Sequence, residues 1–294
     1  MREIELNGLG VAIITPFKKD FTIDYKSLEN LIDYIIKGGC DYIVALGTTA
    51  ETPTLSKEEK IIITEFIKDK VENRVPLVIG IGGNNTSAVC EEINKSHLDG
   101  YSAILSVTPY YNRPTQLGLF EHYKSISEIS PLPIILYNVP SRTGVNLTAK
   151  TTLKLAELTP KICGIKEASG NLIQCKEILN HAPDGFKLIS GDDSATCELM
   201  RQGASGVISV LANAYPKQTK EIVEKCQAKK YDEASDKLDS LKTILTAIFE
   251  EGNPAGIKSA LSNLGLIDNV LRLPLVTVSK ETEEKIKEAV GSLI

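Results

Sequence analysis

Histidine is scarce in this chain of 294 residues: only His97, His122 and His181 occur, far apart and in no H-x-x-x-H or Cys/His spacing. A transition-metal site has no support from that pattern, and no zinc is predicted. Paired cysteines are missing as well. Cys40, Cys90, Cys163, Cys175, Cys197 and Cys226 are scattered without a C-x-x-C pair, and they read as small hydrophobes of a reducing compartment rather than a disulfide framework. There is no basic surplus. A net charge of -5 argues against a nucleic-acid partner or an anionic membrane surface. No apolar run reaches transmembrane length. The leading segment MREIELNGLG lacks the basic region and apolar core of a signal peptide, so the expected location is the cytoplasm. Disordered linkers, low-complexity tracts and solenoid repeats are also absent. A chain this long buries a sizeable core, in one domain or two, without staples.

What is present is an alternation of short apolar runs with helical periodicity. Gly10 to Thr15 is a continuous apolar strand stopped by Pro16, and the next helix carries Leu28, Leu31, Ile32, Ile35 and Ile36 before Gly38-Gly39. The pattern repeats with strands at Tyr42 to Leu46, Leu77 to Ile81, Ala103 to Val107, the run from Leu132 to Tyr137, Ile162 to Lys166, Lys187 to Ser190 and Gly206 to Ser209. Ser56 with Glu59 three residues on is a capping-box signal. About eight strand-plus-helix units with no hairpin turn favour a closed parallel (β/α)8 TIM barrel, with an open doubly wound sheet as the alternative. After Ala214 the chain reads as helix only. Ala234, Leu238, Leu241, Leu245 and Ile248 form one apolar stripe, and Asn253-Pro254 reads as a cap followed by proline at the first helical position. The predicted organisation is a barrel over residues 1–225 and a C-terminal helical subdomain over 226–294.

Two strands end in ionisable residues, Tyr137 and Lys166. In barrels, reactive groups gather at the carboxyl ends of the strands. An ammonium closing an apolar run is costly to keep charged, which favours the free amine, a nucleophile able to condense with a carbonyl. Taken singly, Lys166 could snorkel to the surface and Tyr137 could be a rim aromatic. The turns Gly47-Thr48-Thr49, Pro109 to Pro114 and Tyr137 to Gly144 would, however, open on the same barrel face as Lys166, and that convergence favours a site. Other features have plainer readings. Gly80-Ile81-Gly82-Gly83-Asn84-Asn85 lacks the last glycine of a dinucleotide fingerprint and reads as a strand-to-helix turn. Asp192-Asp193-Ser194 reads as helix capping after the seventh strand. Glu167 faces away from Lys166 and is structural. Lys225, Lys229 and Lys230 form a solvated helix surface.

GTTAE, TPYYNRP, ILYNVPSRTG, GIKEASG, SGDDS and GVISV resemble the dihydrodipicolinate synthase family of pyruvate-dependent, class I aldolase-like enzymes, and the likeness runs through nearly the whole chain. The resemblance implies a Schiff base between Lys166 and pyruvate, with no separate cofactor, and a hydroxyl relay of Tyr137, Thr48 and Tyr111, with Tyr111 entering from a neighbouring subunit. It implies that Thr48 and Thr49 hold the pyruvate carboxylate, that Arg142 binds the carboxylate of L-aspartate 4-semialdehyde, and that Gly191 and Ile208 line the pocket with their backbones. The expected partners are those two small substrates and further copies of the chain, in a homo-oligomer that is at least a dimer, with a tetramer favoured. A sister sugar-acid aldolase, such as an N-acetylneuraminate lyase, shares the lysine and the barrel; Arg142 and the threonine pair favour the synthase. A noncatalytic binding barrel does not account for Lys166, Tyr137 and Thr48 together. Two departures stand out. Ala50 occupies a position where the family usually has glycine. The interface crevice in which many members bind lysine retains Gly82, Asn84 and Tyr110, but has Lys57, Lys60 and Ala88 where regulated relatives carry imidazoles and a carboxylate, so insensitivity to lysine is expected.

Overall fold

The structure, a computed structural model, describes residues 7–293; the first six residues of the leading segment lie outside the described residues. Eight parallel strands close on themselves in sequence order: β1 (Gly8–Ala12), β2 (Tyr42–Ala45), β3 (Leu77–Gly80), β4 (Ala103–Val107), β5 (Ile134–Asn138), β6 (Ile162–Glu167), β7 (Lys187–Ser190) and β8 (Gly206–Ser209), with β8 pairing back to β1. The open-sheet alternative is thereby excluded. The period-two alternation of strand side chains divides the core in two. Leu9, Val11, Ile43, Ile79, Ile104, Leu136 and Ile165 face outward against the helices. Tyr42, Val44, Val78, Leu105, Ile135, Tyr137, Ile189 and Ile208 fill the barrel interior.

The first strand begins two residues earlier than its apolar run suggests. Gly8 pairs with Gly206, and a Cβ on Gly206 would lie 2.0 Å from the Gly8 carbonyl oxygen, so this approach requires glycine at a place where hydrophobic patterning gives no signal. Helices α1 (Tyr25–Lys37), α2 (Lys57–Val71), α3 (Thr86–Lys95), α4 (Gln116–Ile129), the short α5 (Pro140–Thr143), α6 (Ala149–Leu158), α7 (Leu172–His181), α8 (Thr196–Gln202) and α9 (Pro216–Gln227) surround the strands. The Ser56/Glu59 capping box at the start of α2 is present.

The remaining helices are α10 (Tyr231–Ser240), α11 (Lys242–Glu250), α12 (Ala255–Asn263) and α13 (Lys280–Gly291). Two sequence readings are corrected here. The stripe from Ala234 to Ile248 is split between α10 and α11: Leu241 leaves helical geometry (φ -100°, ψ 1°) while its side chain stays buried, so the periodicity hides the break. Pro254, not Asn253, occupies the N-cap of α12, across a cis Asn253-Pro254 bond, and the Asn253 side chain is engaged elsewhere. Helix α9 packs against β1 and α8 as the eighth barrel helix, and residue 225 lies within it. We propose that the helical subdomain begins after Gln227. Among the described residues no helix is long and apolar enough to cross a membrane.

Candidate active site

Tyr137 and Lys166 are register partners on β5 and β6, which puts both side chains on the inner face at the carboxyl-terminal mouth. Lys166 is only 6% exposed, and its Nζ lies over the Tyr137 ring, 4.5 Å from the centroid. They open on a cavity of about 660 Å³ whose walls include Thr48, Thr49, Arg142, Gly191 and Asn253. Room for the lysine is made by Gly191: a Cβ there would sit 2.7 Å from Ala168 Cβ and 3.1 Å from Lys166 Cε. Ile208 lies deeper, packed in the barrel interior with Tyr137, and Val210 reaches the cavity wall instead.

The threonine pair sits in a single 3₁₀ turn after β2. Three hydrogen bonds fix it: Thr15 Oγ1 donates to the Ala50 carbonyl (2.8 Å), Thr52 Oγ1 donates to the Gly47 carbonyl (2.8 Å), and Asn253 Nδ2 donates to Thr49 Oγ1 (2.9 Å). Ala50 is not among the left-handed residues; Glu51, one position later, is (φ 54°). The methyl of Ala50 is therefore accommodated without backbone strain. Glu51 and Lys258 are both 0% exposed and form an ion pair. The Lys258 ammonium also donates to the Val270 carbonyl (2.9 Å) and lies 4.2 Å from the Phe17 ring centroid. Burial pushes it down to about 8, against the pull of Glu51. The Arg272 guanidinium also lies over that ring, 4.4 Å from its centroid, and ties to the Glu59 carboxylate, and the Arg272 backbone N–H donates to Glu51 (3.1 Å). This buried network clamps the threonine turn to α12.

Arg142, on α5, is exposed and donates from Nη2 to the Asn253 carbonyl (3.1 Å). Glu167 faces away from Lys166, where it accepts from Asn138 Nδ2, Gln174 Nε2 and the Ser169 N–H. The Asp192-Asp193-Ser194 reading needs correction. Asp193 is buried and accepts from Ser209 Oγ (2.5 Å) and from the amides of Val210 and Leu211, so it organises the turn after β8 and does not cap α8, whose N-cap is Ala195 with no side-chain bond. Burial pushes its carboxyl above the usual range despite those bonds.

Tyr111 does not reach the cavity of its own chain. It is 85% exposed and left-handed (φ 73°). Its neighbour Tyr110 lines a second cavity of about 360 Å³, together with Gly82 and Lys60, which shares Thr48, Tyr137 and Arg142 with the first. Lys57, Lys60 and Ala88 line a third space of about 280 Å³ between α2 and α3. Sequence reading missed the clamp Glu51–Lys258–Arg272, Asn253, and the α11 wall of Lys242, Thr246, Phe249 and Glu250. None of these carries a local signal, because each acts on residues far away in the chain.

The arrangement is a buried lysine side chain at the carboxyl-terminal mouth of a barrel, over a phenol ring, with hydroxyls on one wall and a guanidinium on the rim. Known proteins share its frame. A 4-hydroxy-tetrahydrodipicolinate synthase of Parabacteroides distasonis is 48% identical, with 100% of this chain and 99% of that protein covered. The pyruvate complex of the chloride-inhibited dihydrodipicolinate synthase of Acinetobacter baumannii superposes with a TM-score of 0.94 at 41% identity, covering 97% of this chain and 98% of that one. A structure described as the first monomeric dihydrodipicolinate synthase variant gives 0.95 at 36% identity, covering 98% and 96%. Residues 5–293 match the model of the dihydrodipicolinate synthetase family, and with the barrel, the strand-end lysine and these likenesses together, the chain belongs to that family.

Proposed function

We infer that this enzyme condenses pyruvate with L-aspartate 4-semialdehyde to give 4-hydroxy-tetrahydrodipicolinate, in diaminopimelate and lysine biosynthesis, within the cytoplasm. The observation that carries the chemistry is the buried Lys166 amine against Tyr137 at a cavity large enough for both substrates. The Lys166 amine attacks the pyruvate carbonyl, and loss of water leaves an iminium. That cation withdraws electrons, so the methyl group gives up a proton and becomes an enamine; it is the electron sink, and the step calls for no metal or other cofactor. The enamine carbon attacks the aldehyde. The substrate's amine then displaces Lys166 from the iminium carbon, closing the ring and freeing the enzyme.

Tyr137 and Thr48, which are both donors and acceptors, move protons at this centre. Thr48 and Thr49 hold the pyruvate carboxylate beside Gly191 and Ile208, and Arg142 takes the carboxylate of the second substrate in fork geometry. Tyr111 completes the relay of a neighbouring copy in a homo-oligomer, most simply a tetramer. Its exposure supports that role, since a large aromatic side chain left open to solvent on one copy is available to be covered by another. A Tyr111→Phe and Lys166→Ala mixture regains activity on subunit exchange if the relay is shared; no recovery after verified exchange refutes the sharing. Borohydride with pyruvate is expected to leave a stable adduct on Lys166. An adduct elsewhere, or none by intact mass, refutes the mechanism, and equal turnover of sugar-acid aldehydes moves the reading to a sister aldolase.

A further inference from the structure

We propose that Asn253 is a further substrate-contacting, specificity-determining residue, whose side-chain oxygen receives the ammonium group of the second substrate. The inference rests on the reaction above and deepens it. Three polar groups of Asn253 meet at the cavity wall. Nδ2 donates to Thr49 Oγ1 (2.9 Å), and the main-chain carbonyl accepts from Arg142 Nη2 (3.1 Å). Oδ1 is buried and has no hydrogen-bond partner among the described residues. Buried acceptors are almost always paired, and an orphan at the wall of a reaction cavity is open to a donor from water or from a bound ligand.

The geometry also selects the donor. In an α-amino acid the ammonium and the carboxylate share one carbon. A carboxylate held by the remaining N–H groups of Arg142 therefore brings its ammonium beside the residue to which Arg142 is already bonded, which is Asn253. Each of the two carboxylates on the same wall has one oxygen committed within the protein: Asp192 Oδ1 takes the N–H and O–H of Ser194, and Glu250 Oε1 takes the Lys285 ammonium (2.7 Å). Because Thr49 Oγ1 accepts from Asn253, its own proton stays free for the carboxylate of pyruvate, so one amide orients groups for both substrates. The Glu51–Lys258 pair fixes α12 against the threonine turn, so Asn253 is held in place before substrate arrives, as orientation by a binding group requires.

The test compares two ligands that differ only in the ammonium group, aspartate semialdehyde as substrate and succinate semialdehyde as inhibitor, at saturating pyruvate. Asn253→Ala is expected to raise KM for aspartate semialdehyde by about ten- to a hundredfold, the loss of one charge-assisted hydrogen bond. The inhibition constant of succinate semialdehyde should stay within about twofold. Asn253→Asp, which keeps an acceptor at that position, is expected to restore most of the lost affinity. The melting temperature serves as the control for fold; because both variants lose the bond from Nδ2 to Thr49, pyruvate affinity is measured for each from adduct formation on Lys166, and the two semialdehydes are compared at pyruvate concentrations that saturate each variant. Equal weakening of both ligands, no change in either, or identical behaviour of the alanine and aspartate variants overturns the proposal alone. A wild-type enzyme that forms no adduct overturns the reaction reading as well.

Discussion

Lys258→Met removes one positive charge from the buried clamp and keeps most of the side chain's volume. The ammonium contacts the Glu51 carboxylate, the Val270 carbonyl and the Phe17 ring. Without it, Glu51 remains fully buried, with the Arg272 backbone N–H as its one remaining hydrogen-bond donor among the described residues. Breaking a buried pair by removing one partner costs about 3–5 kcal/mol, because the survivor is an uncompensated charge. The carboxylate escapes that cost only by taking up a proton, which at pH 7 costs a glutamate about 4 kcal/mol. The expected destabilisation is therefore about 3–4 kcal/mol at pH 7, measured by urea unfolding followed by circular dichroism. The protonation route also gives a pH signature: the deficit should shrink to about 1 kcal/mol near pH 5, where the proton is cheap. Glu51→Gln/Lys258→Met should recover most of the loss at both pH values. Since the pair anchors the Thr48–Thr49 turn, KM for pyruvate should rise in the single variant and fall back in the double one. A deficit under about 1 kcal/mol that is flat between pH 5 and 7 would refute the reasoning.

Gly191→Ala places a methyl 3.1 Å from Lys166 Cε and 2.7 Å from Ala168 Cβ; the overpacking should cost about 1–3 kcal/mol of stability and adduct formation with pyruvate should slow by about ten- to a hundredfold, and an unchanged rate in the folded variant would show that the lysine needs no such space. His122 is buried against Thr86 Oγ1 (2.9 Å), and burial pushes it down to about 4. The unfolded chain binds a proton near 6.5 that the native state refuses until about 4, so stability should fall by about 3 kcal/mol as pH drops across that window, and His122→Gln should flatten the slope. Unfolding midpoints at pH 7 and 4.5 check this; parallel curves for the two proteins refute it. The family resemblance implies a carboxylate for a bound lysine's ammonium at position 88, where this chain has Ala88, a loss of about 1.5–3 kcal/mol; the carboxylates that do line the space, Glu91 and Glu92, are paired with Lys95 and Lys60. Dose-response assays at limiting and saturating pyruvate should show no inhibition by sub-millimolar L-lysine; strong inhibition there refutes the reading.

Short apolar runs separated by helical periodicity determined the eight units and, through the alternation of strand side chains, the facing of Lys166 and Tyr137 inward and of Glu167 outward. These are local properties, fixed by which neighbours along the chain share a face. The capping box at Ser56 is local in the same sense. What lies across the chain was silent. Nothing about the stripe from Ala234 to Ile248 reveals the break at Leu241, because a buried leucine looks alike on either side of a turn. Asn253 is read locally as a cap, yet its amide is drawn to Thr49, 204 residues away, and its carbonyl to Arg142, 111 residues away. Asp193 reads as the start of a helix but serves the turn after β8, because burial between two strands offers it three donors that its own helix does not. The Glu51–Lys258 pair and the Gly8–Gly206 approach exist only once the barrel closes. Closure brings ends of the chain together, and only there do desolvation and packing decide which polar groups become partners.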